Sequence, residues 1–294
     1  MALTTALLWT MASLMWGRIH LSAAAINLCK NCIAIAIILV HLTLLILLTG
    51  EPNLRLSLPT WSWLGLSGLI GIVIGDTAYF RSIQILGPRL AMMTGTTSPI
   101  FAAVLGWMLL DEKLQIYGVI GILLVVSGVA VVIADRKARK EKPGIFPGKF
   151  TLGIALGLLG AACQAVGAVT AKKGMAYEDC DPLVATLVRI IVAAIATLVV
   201  VYYQQNLRTL LPKIFKWKTF RMLIVATAVG SWLGIWLSQV AIKEARNVAI
   251  AQTLFSTLPL FAIPFVWLID GHKISALSIA GTIVAIVGIY LAVM

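Results

Sequence analysis

Long apolar runs follow one another along the chain and are separated by short polar breaks. The hydrocarbon core of a bilayer needs about 20 apolar residues per crossing helix. The pattern therefore predicts an all-α membrane protein with about ten transmembrane helices. The predicted spans are 3–22, 26–48, 61–81, 89–110, 114–134, 150–172, 182–203, 220–241, 248–269 and 274–293.

The breaks between the spans have physical causes. Pro52 ends the second span, because proline lacks the backbone N–H donor and blocks the preceding helical turn. Asp111-Glu112-Lys113 separates the fourth span from the fifth. The stretch 136–149 holds six Lys or Arg and two prolines, and we predict that it is a linker loop. A second basic connection covers 208–221, and Arg18 and His20 interrupt the first span.

The two sides of this linker resemble each other at a constant offset of 160 residues. We therefore predict a first repeat at 1–135, the linker at 136–149 and a second repeat at 150–294. Each repeat holds five helices, and an odd number makes the second copy enter the membrane in the opposite sense. The expected fold is an inverted 5+5 repeat around a central cavity, which is a transporter architecture. The matched pairs are Ala91/Ala251, Thr97/Thr257, Pro99/Pro259, Phe101/Phe261, Trp107/Trp267, Lys113/Lys273, Gly121/Gly281 and Gly128/Gly288.

Composition and charge agree with a membrane location. The chain is 61% hydrophobic and 12% charged, whereas a soluble domain carries about 25% charged residues. The net charge of +12 lies in loops between apolar runs, so we expect these loops to face anionic lipid headgroups rather than nucleic acid. We expect a multi-pass protein of the cell (inner or plasma) membrane. Cys29 and Cys32 form a lone CxxC with no second pair, so neither a metal site nor a cofactor is predicted.

The fourth span carries Thr-Thr-Ser-Pro-Ile-Phe at 96–101 and ends in Asp-Glu-Lys-Leu at 111–114, and paired glycines recur in the fifth and tenth spans. These motifs resemble those of the drug/metabolite transporter superfamily, in particular the EamA-domain permeases. Arg189 stands where the family usually has arginine in the seventh helix. Lys30 and His272 depart from the pattern. The resemblance implies ten helices around a cavity, alternating access, and export or import of small polar metabolites.

Asp76 is the sharpest single signal for function. It lies within the apolar third span, where a charge is costly in lipid and should face a cavity or a cation. It could bind a proton or a substrate amine, and Tyr79 lies on roughly the same helical face. The structural alternative is an ion pair with Arg81, Lys30 or Arg189.

Arg189 and Lys30 occupy matching places in the two repeats, at an offset of 159 residues. The functional interpretation is an anion clamp on a substrate carboxylate or phosphate. The alternative is that both side chains reach to the lipid headgroups.

The fourth and ninth spans open with small polar residues. Hydroxyls and amides can hydrogen-bond a polar substrate without carrying charge into the membrane. Pro99 and Pro259 stand at matching positions and are candidate hinges or cavity walls. Simple helix packing through small residues is the alternative. The candidates here are Thr94, Thr97, Ser98, Gln252 and Ser256.

Aromatic residues supply the last set of cavity candidates. Trp232, Trp236 and Gln239 recur at helical spacing in the eighth span and form a possible aromatic wall with one amide. Aromatics that face lipid or the membrane interface are the alternative. Trp9 and Gln164 are further candidates.

The combined pattern favours a secondary transporter of small polar metabolites, such as amino acids or related compounds, with protons as a candidate coupling ion. A sugar, nucleotide-sugar or phosphate-ester antiporter of the same superfamily is the alternative. No Walker motif is present, so the chain has no ATPase motif of its own. A membrane-embedded lipid-modifying enzyme would need clustered His, Asp or Glu, whereas the three histidines are scattered. We therefore do not expect an enzyme.

Overall fold

The computed structural model describes residues 1–50, 54–134, 149–204, 207–262, 265 and 275–293, and this part of the chain is almost entirely helical. Six helices are long and apolar enough to cross a membrane, and four shorter ones are also apolar. The ten are α1 (Ala2–Trp16), α2 (Ala23–Thr49), α3 (Leu58–Leu86), α4 (Pro88–Leu110), α5 (Ile116–Ala134), α6 (Phe150–Ala176), α7 (Pro182–Gln204), α8 (Trp217–Glu244), α9 (Val248–Ala262) and α10 (Ala276–Val293).

Local chemistry sets the helix ends and moves several predicted boundaries. The predicted first span reached residue 22, but α1 ends at Trp16 and the Ser22 side chain caps α2 by accepting from the Ala25 N–H. Gly50 ends α2 with φ 74°, a left-handed conformation that glycine adopts readily. The basic connection at 208–221 contains a short helix, Leu207–Ile214, which the hydropathy pattern did not predict.

The last helices of the two halves pack against each other and show the inversion directly. A Cβ on Gly128 would meet Gly281 and Ala285, whereas one on Gly288 would meet Gly121. The helices α5 and α10 are therefore antiparallel. Because these helices are counterparts in the two repeats, the halves run in opposite directions, which confirms the predicted inverted architecture.

Helices also cross between the halves in a matched way. The third helix of each half packs on the first helix of the other, so that α3 contacts α6 and α8 contacts α1. Small residues allow this close approach in a membrane protein. At the α3–α6 crossing, a Cβ on Gly71 would lie 3.2 Å from the Cα of Gly167.

The third helix of each half changes to π-helical geometry at the same place. The segments are Gly68–Asp76 in α3 and Ala228–Leu233 in α8, and their first residues lie 160 positions apart. π-helical turns are rare and often occur at functional sites. The hydropathy pattern carries no signal for them.

Large apolar side chains cover the outside of the described helices. Leu47, Trp107 and Tyr203 are among many that are more than half exposed. A surface of this kind suits lipid, and the protein is an integral multi-pass membrane protein. Trp267, His272, Lys273 and all but the last residue of the predicted linker lie outside the described residues.

Candidate functional site

A cavity of about 110 Å³ lies between the two halves. The first four helices of each half line it, whereas α5 and α10 pack outside. Such a volume holds several water molecules or one small solute. The cavity thus lies where an inverted-repeat transporter holds its substrate.

Three charged side chains of the described residues line this cavity. The Lys30 Nζ lies 2.7 Å from Asp76 Oδ2, and the Lys30 side chain is 1% exposed. The ammonium also lies 5.9 Å from the centre of the Phe80 ring, within reach of a cation–π interaction. Arg189 is 3% exposed, and its Nε and Nη1 have no hydrogen-bond partner. The Lys30–Asp76 pair is neutral, so Arg189 leaves the described lining with one excess positive charge.

Hydroxyl and amide groups complete the polar lining and join helices of different halves. Ser98 Oγ donates to Gln252 Oε1 over 3.1 Å, which links α4 to α9. Trp9 Nε1 donates to the carbonyl of Gly230 in α8 over 2.9 Å. Other groups in the lining have no protein partner: Trp16 Nε1, Ser231 Oγ and Gln239 Oε1.

Matching interruptions in α4 and α9 border the cavity. Turns replace the helix at 96–97 and at 256–257, and Pro99 and Pro259 each follow by two or three residues. A proline nitrogen cannot donate to the carbonyl four residues earlier, which here belongs to Gly95 or Phe255. Both of these residues line the cavity. The structure therefore places the two prolines beside the cavity wall, and their role as hinges stays a prediction.

The structure brings most of the candidates from the sequence to this one cavity. Asp76 takes Lys30 as its ion partner, one of the three cations considered for it, while its carboxylate remains in the cavity lining. The candidates that line the cavity are Trp9, Lys30, Asp76, Tyr79, Ser98, Gln164, Arg189, Gln239, Gln252 and Ser256.

Four candidates lie elsewhere. The hydroxyls of Thr94 and Thr97 donate to carbonyls of their own helix, over 2.8 and 2.9 Å. Trp232 and Trp236 turn towards α2, where Trp232 Nε1 donates to His41 Nδ1 over 3.2 Å and both rings pack edge-on to the imidazole. An indole N–H that is partly buried usually has a hydrogen-bond partner, and His41 supplies it. The predicted aromatic wall in α8 therefore does not line this cavity.

Sequence reasoning also missed residues that do line the cavity. Ser231 and Ser238 share the face of α8 that the tryptophans were expected to occupy. Ser13 lies 3.0 Å from the Tyr79 hydroxyl and contributes from α1. Their signal was a small hydroxyl among apolar neighbours, which residues that only pack between helices also show.

A polar cluster ties the halves together about one helical turn beyond the cavity. Lys172 Nζ in α6 lies 2.7 Å from Glu112 Oε1 and 2.6 Å from the carbonyl of Ala245. Glu112 Oε2 accepts from the Val248 N–H, at the start of α9, over 2.8 Å. We call Glu112, Lys172 and these two backbone groups the latch. It joins the ends of α4, α6 and α8 to the beginning of α9.

Comparison with known proteins places the chain among membrane transporters. The model of the EamA-like transporter family matches residues 1–134 and 151–294. Two Arabidopsis thaliana proteins, "Probable magnesium transporter NIPA2" and "Probable magnesium transporter NIPA1", are each 33% identical over 84 residues. That segment is 29% of this chain and 24% of either relative. A solved crystal structure aligns with 99% of this chain and 94% of its own chain, with a TM-score of 0.72 and 17% sequence identity. This similarity shows a shared fold.

Proposed function

Because the chain belongs to the EamA-like transporter family, we propose that it is a secondary transporter of small polar metabolites, such as amino acids or related compounds. One observation carries this proposal. The residues that line the cavity between the inverted halves include several whose buried polar atoms have no protein partner. Buried polar groups are normally hydrogen-bonded, so a polar solute or its water is a suitable partner for these atoms.

The cavity volume bears on the size of the substrate. About 110 Å³ suits a molecule of amino-acid size and is small for a nucleotide-sugar. The alternative, a sugar or phosphate-ester antiporter, would be favoured if Lys172 added a further positive charge to the cavity, but the Lys172 ammonium is bound in the latch. The size and the charge content of the cavity therefore favour the small metabolite.

Magnesium is named for the two relatives, which this chain matches over only about a quarter of their length. Mg²⁺ is usually bound through carboxylates and water. The described lining has a single carboxylate, Asp76, which Lys30 already neutralises. In the part of the chain that the structure describes, no three His, Cys, Asp or Glu are grouped to hold a metal ion. The charges in this cavity thus favour an organic solute over a divalent cation.

Transport by purified protein in liposomes tests the proposal. The liposomes are loaded with one unlabelled metabolite of a panel, and counterflow of the labelled compound is measured with and without a pH gradient. The panel includes amino acids, sugars, phosphate esters and Mg²⁺. An increased rate under a pH gradient would support protons as the coupling ion.

A variant that fills the cavity ties the activity to this site. Gly95 lines the cavity, and a Cβ built on it meets nothing within 4 Å. Gly95→Phe is therefore expected to fold and to abolish transport, because its ring occupies the space for the substrate. Thr43→Phe adds the same ring to an exposed position on α2 and serves as the control. Equal transport by Gly95→Phe and wild type would contradict the proposal.

A further inference from the structure

The Arg189 guanidinium stands in the cavity lining without a direct ion-pair partner, and the Asp76 carboxylate, which is paired with Lys30, acts on it only as a more distant charge. It is 3% exposed, and two of its nitrogens, Nε and Nη1, find no acceptor. An unpaired buried charge is costly, so a protein retains one where a ligand completes it. We infer that Arg189 binds the carboxylate of the transported solute, an inference that rests on the proposed transport function and specifies its substrate class.

The only carboxylate in the described lining is already committed. Asp76 Oδ2 lies 2.7 Å from Lys30 Nζ, and Lys30 is almost completely buried. If Asp76 moved to Arg189, Lys30 would lose its partner at the same cost. The described lining therefore has one more cation than anion. A hydroxy-carboxylate, which carries one negative charge, brings it to neutrality, whereas a zwitterionic amino acid pairs its carboxylate with Arg189 and leaves its ammonium for an uncharged acceptor.

The backbone around Arg189 fixes its position. The helix α3 approaches α7 so closely that a Cβ on Gly68 would clash with the Arg189 carbonyl oxygen. One turn further along α3, a Cβ on Gly71 would lie 3.6 Å from Arg189 Nη2. The glycine face of α3 thus leaves room for the guanidinium and holds its helix in place. A guanidinium offers a rigid fork of donors that matches a carboxylate in two-point contact.

The rest of the lining indicates what else the solute carries. The Gln239 Oε1 and the Ser231 hydroxyl have no protein partner. They can accept a hydrogen bond from an amino or hydroxyl group. In about 110 Å³ the best fit is a small amino- or hydroxy-carboxylate, with its acid group at Arg189 and its donor group at α8.

The test is direct binding to the full chain purified in detergent. Thermal unfolding is followed with propionate, lactate, L-alanine and L-serine at millimolar concentration, each compared with its amide, and with inorganic phosphate. We expect stabilisation by at least one acid and a smaller effect of its amide, because only the acid neutralises Arg189. Stabilisation by no carboxylate, by acid and amide equally, or by phosphate alone would overturn the inference.

Variants at Arg189 assign the effect. Arg189→Gln is expected to raise the Kd for the acid about 10- to 100-fold, since charge-assisted hydrogen bonds are lost. Arg189→Lys keeps the charge without the fork and is expected to retain part of the affinity. Lys243→Gln removes a basic charge outside the cavity, where Lys243 pairs with the exposed Asp179, and is the control. Unchanged acid binding in Arg189→Gln would refute the role of Arg189.

Stability without ligand gives an independent readout. Arg189→Gln removes a buried charge that has no direct ion-pair partner, so without ligand its melting temperature is expected to be no lower than that of wild type. As the acid is added, the melting temperature of wild type should rise above that of the variant. A variant that melts lower without ligand and binds the acid normally would show that Arg189 serves the fold alone.

Counterflow separates this inference from the transport proposal. Normal carboxylate transport by Arg189→Gln would overturn only the inference, whereas Arg189-dependent binding without transport would overturn only the transport function.

Discussion

Removal of the Asp76 charge is expected to separate the stability of this protein from its transport. Asp76→Asn keeps the shape of the side chain and leaves Lys30, which is 1% exposed, without its counter-ion 2.7 Å away. Two unit charges at that distance attract by about 6 kcal/mol at an effective dielectric constant of about 20. Much of this attraction offsets the desolvation of the two ions, and breaking one side of a buried pair typically costs about 3–5 kcal/mol. Asp76 is 16% exposed, so we expect the lower end of that range.

A second variant distinguishes the two roles. Lys30→Met combined with Asp76→Asn removes the stranded cation, so the free energy of unfolding should return close to the wild-type value. Transport should be lost or uncoupled from the pH gradient in both variants, because neither has the carboxylate. Thermal unfolding in detergent and counterflow in liposomes measure the two quantities. Asp179→Asn, whose side chain is 90% exposed, removes the same charge and should resemble wild type in both assays.

Two results would refute this reasoning. If Asp76→Asn has the melting temperature of wild type while that of the double variant is lower, Asp76 does not stabilise the fold as the counter-ion of Lys30. If Asp76→Asn transports at the wild-type rate and with the wild-type pH dependence, Asp76 has no part in the mechanism.

Two further predictions concern packing and access. Gly68→Ala should lower the free energy of unfolding by about 1–3 kcal/mol, because its Cβ meets the Arg189 carbonyl oxygen and pushes α3 away from α7. Gly65→Ala is the control, since its Cβ makes only an ordinary contact. Equal melting temperatures of the two variants would contradict this prediction. Lys172→Met should release the latch and so open the cavity on the latch side. The measurement is the rate at which a membrane-impermeant reagent, added on that side, labels Ser98→Cys in a chain whose four native cysteines are replaced; we expect a faster rate in Lys172→Met. An unchanged rate would show that the latch does not limit access.

The local sequence was sufficient for the membrane architecture. Whether a segment crosses lipid depends on its own composition and length, so hydropathy predicted the helices without knowledge of their neighbours. The constant offset of 160 residues and five helices per copy were enough to predict the inversion, which the contacts of Gly128 with Gly281 and of Gly121 with Gly288 confirm. The sequence also marked Asp76, Lys30 and Arg189, because a charge in an apolar span has few acceptable locations.

Only the tertiary structure decided how these residues meet. The choice of Lys30 rather than Arg189 as partner of Asp76 depends on distances between α2, α3 and α7, which no local pattern encodes. The rotation of α8 likewise follows from packing: Trp232 finds His41 on α2, and Ser231 therefore faces the cavity. Hydropathy depends on composition alone, whereas the face that a helix turns inward depends on the hydrogen bonds and contacts available across the bundle.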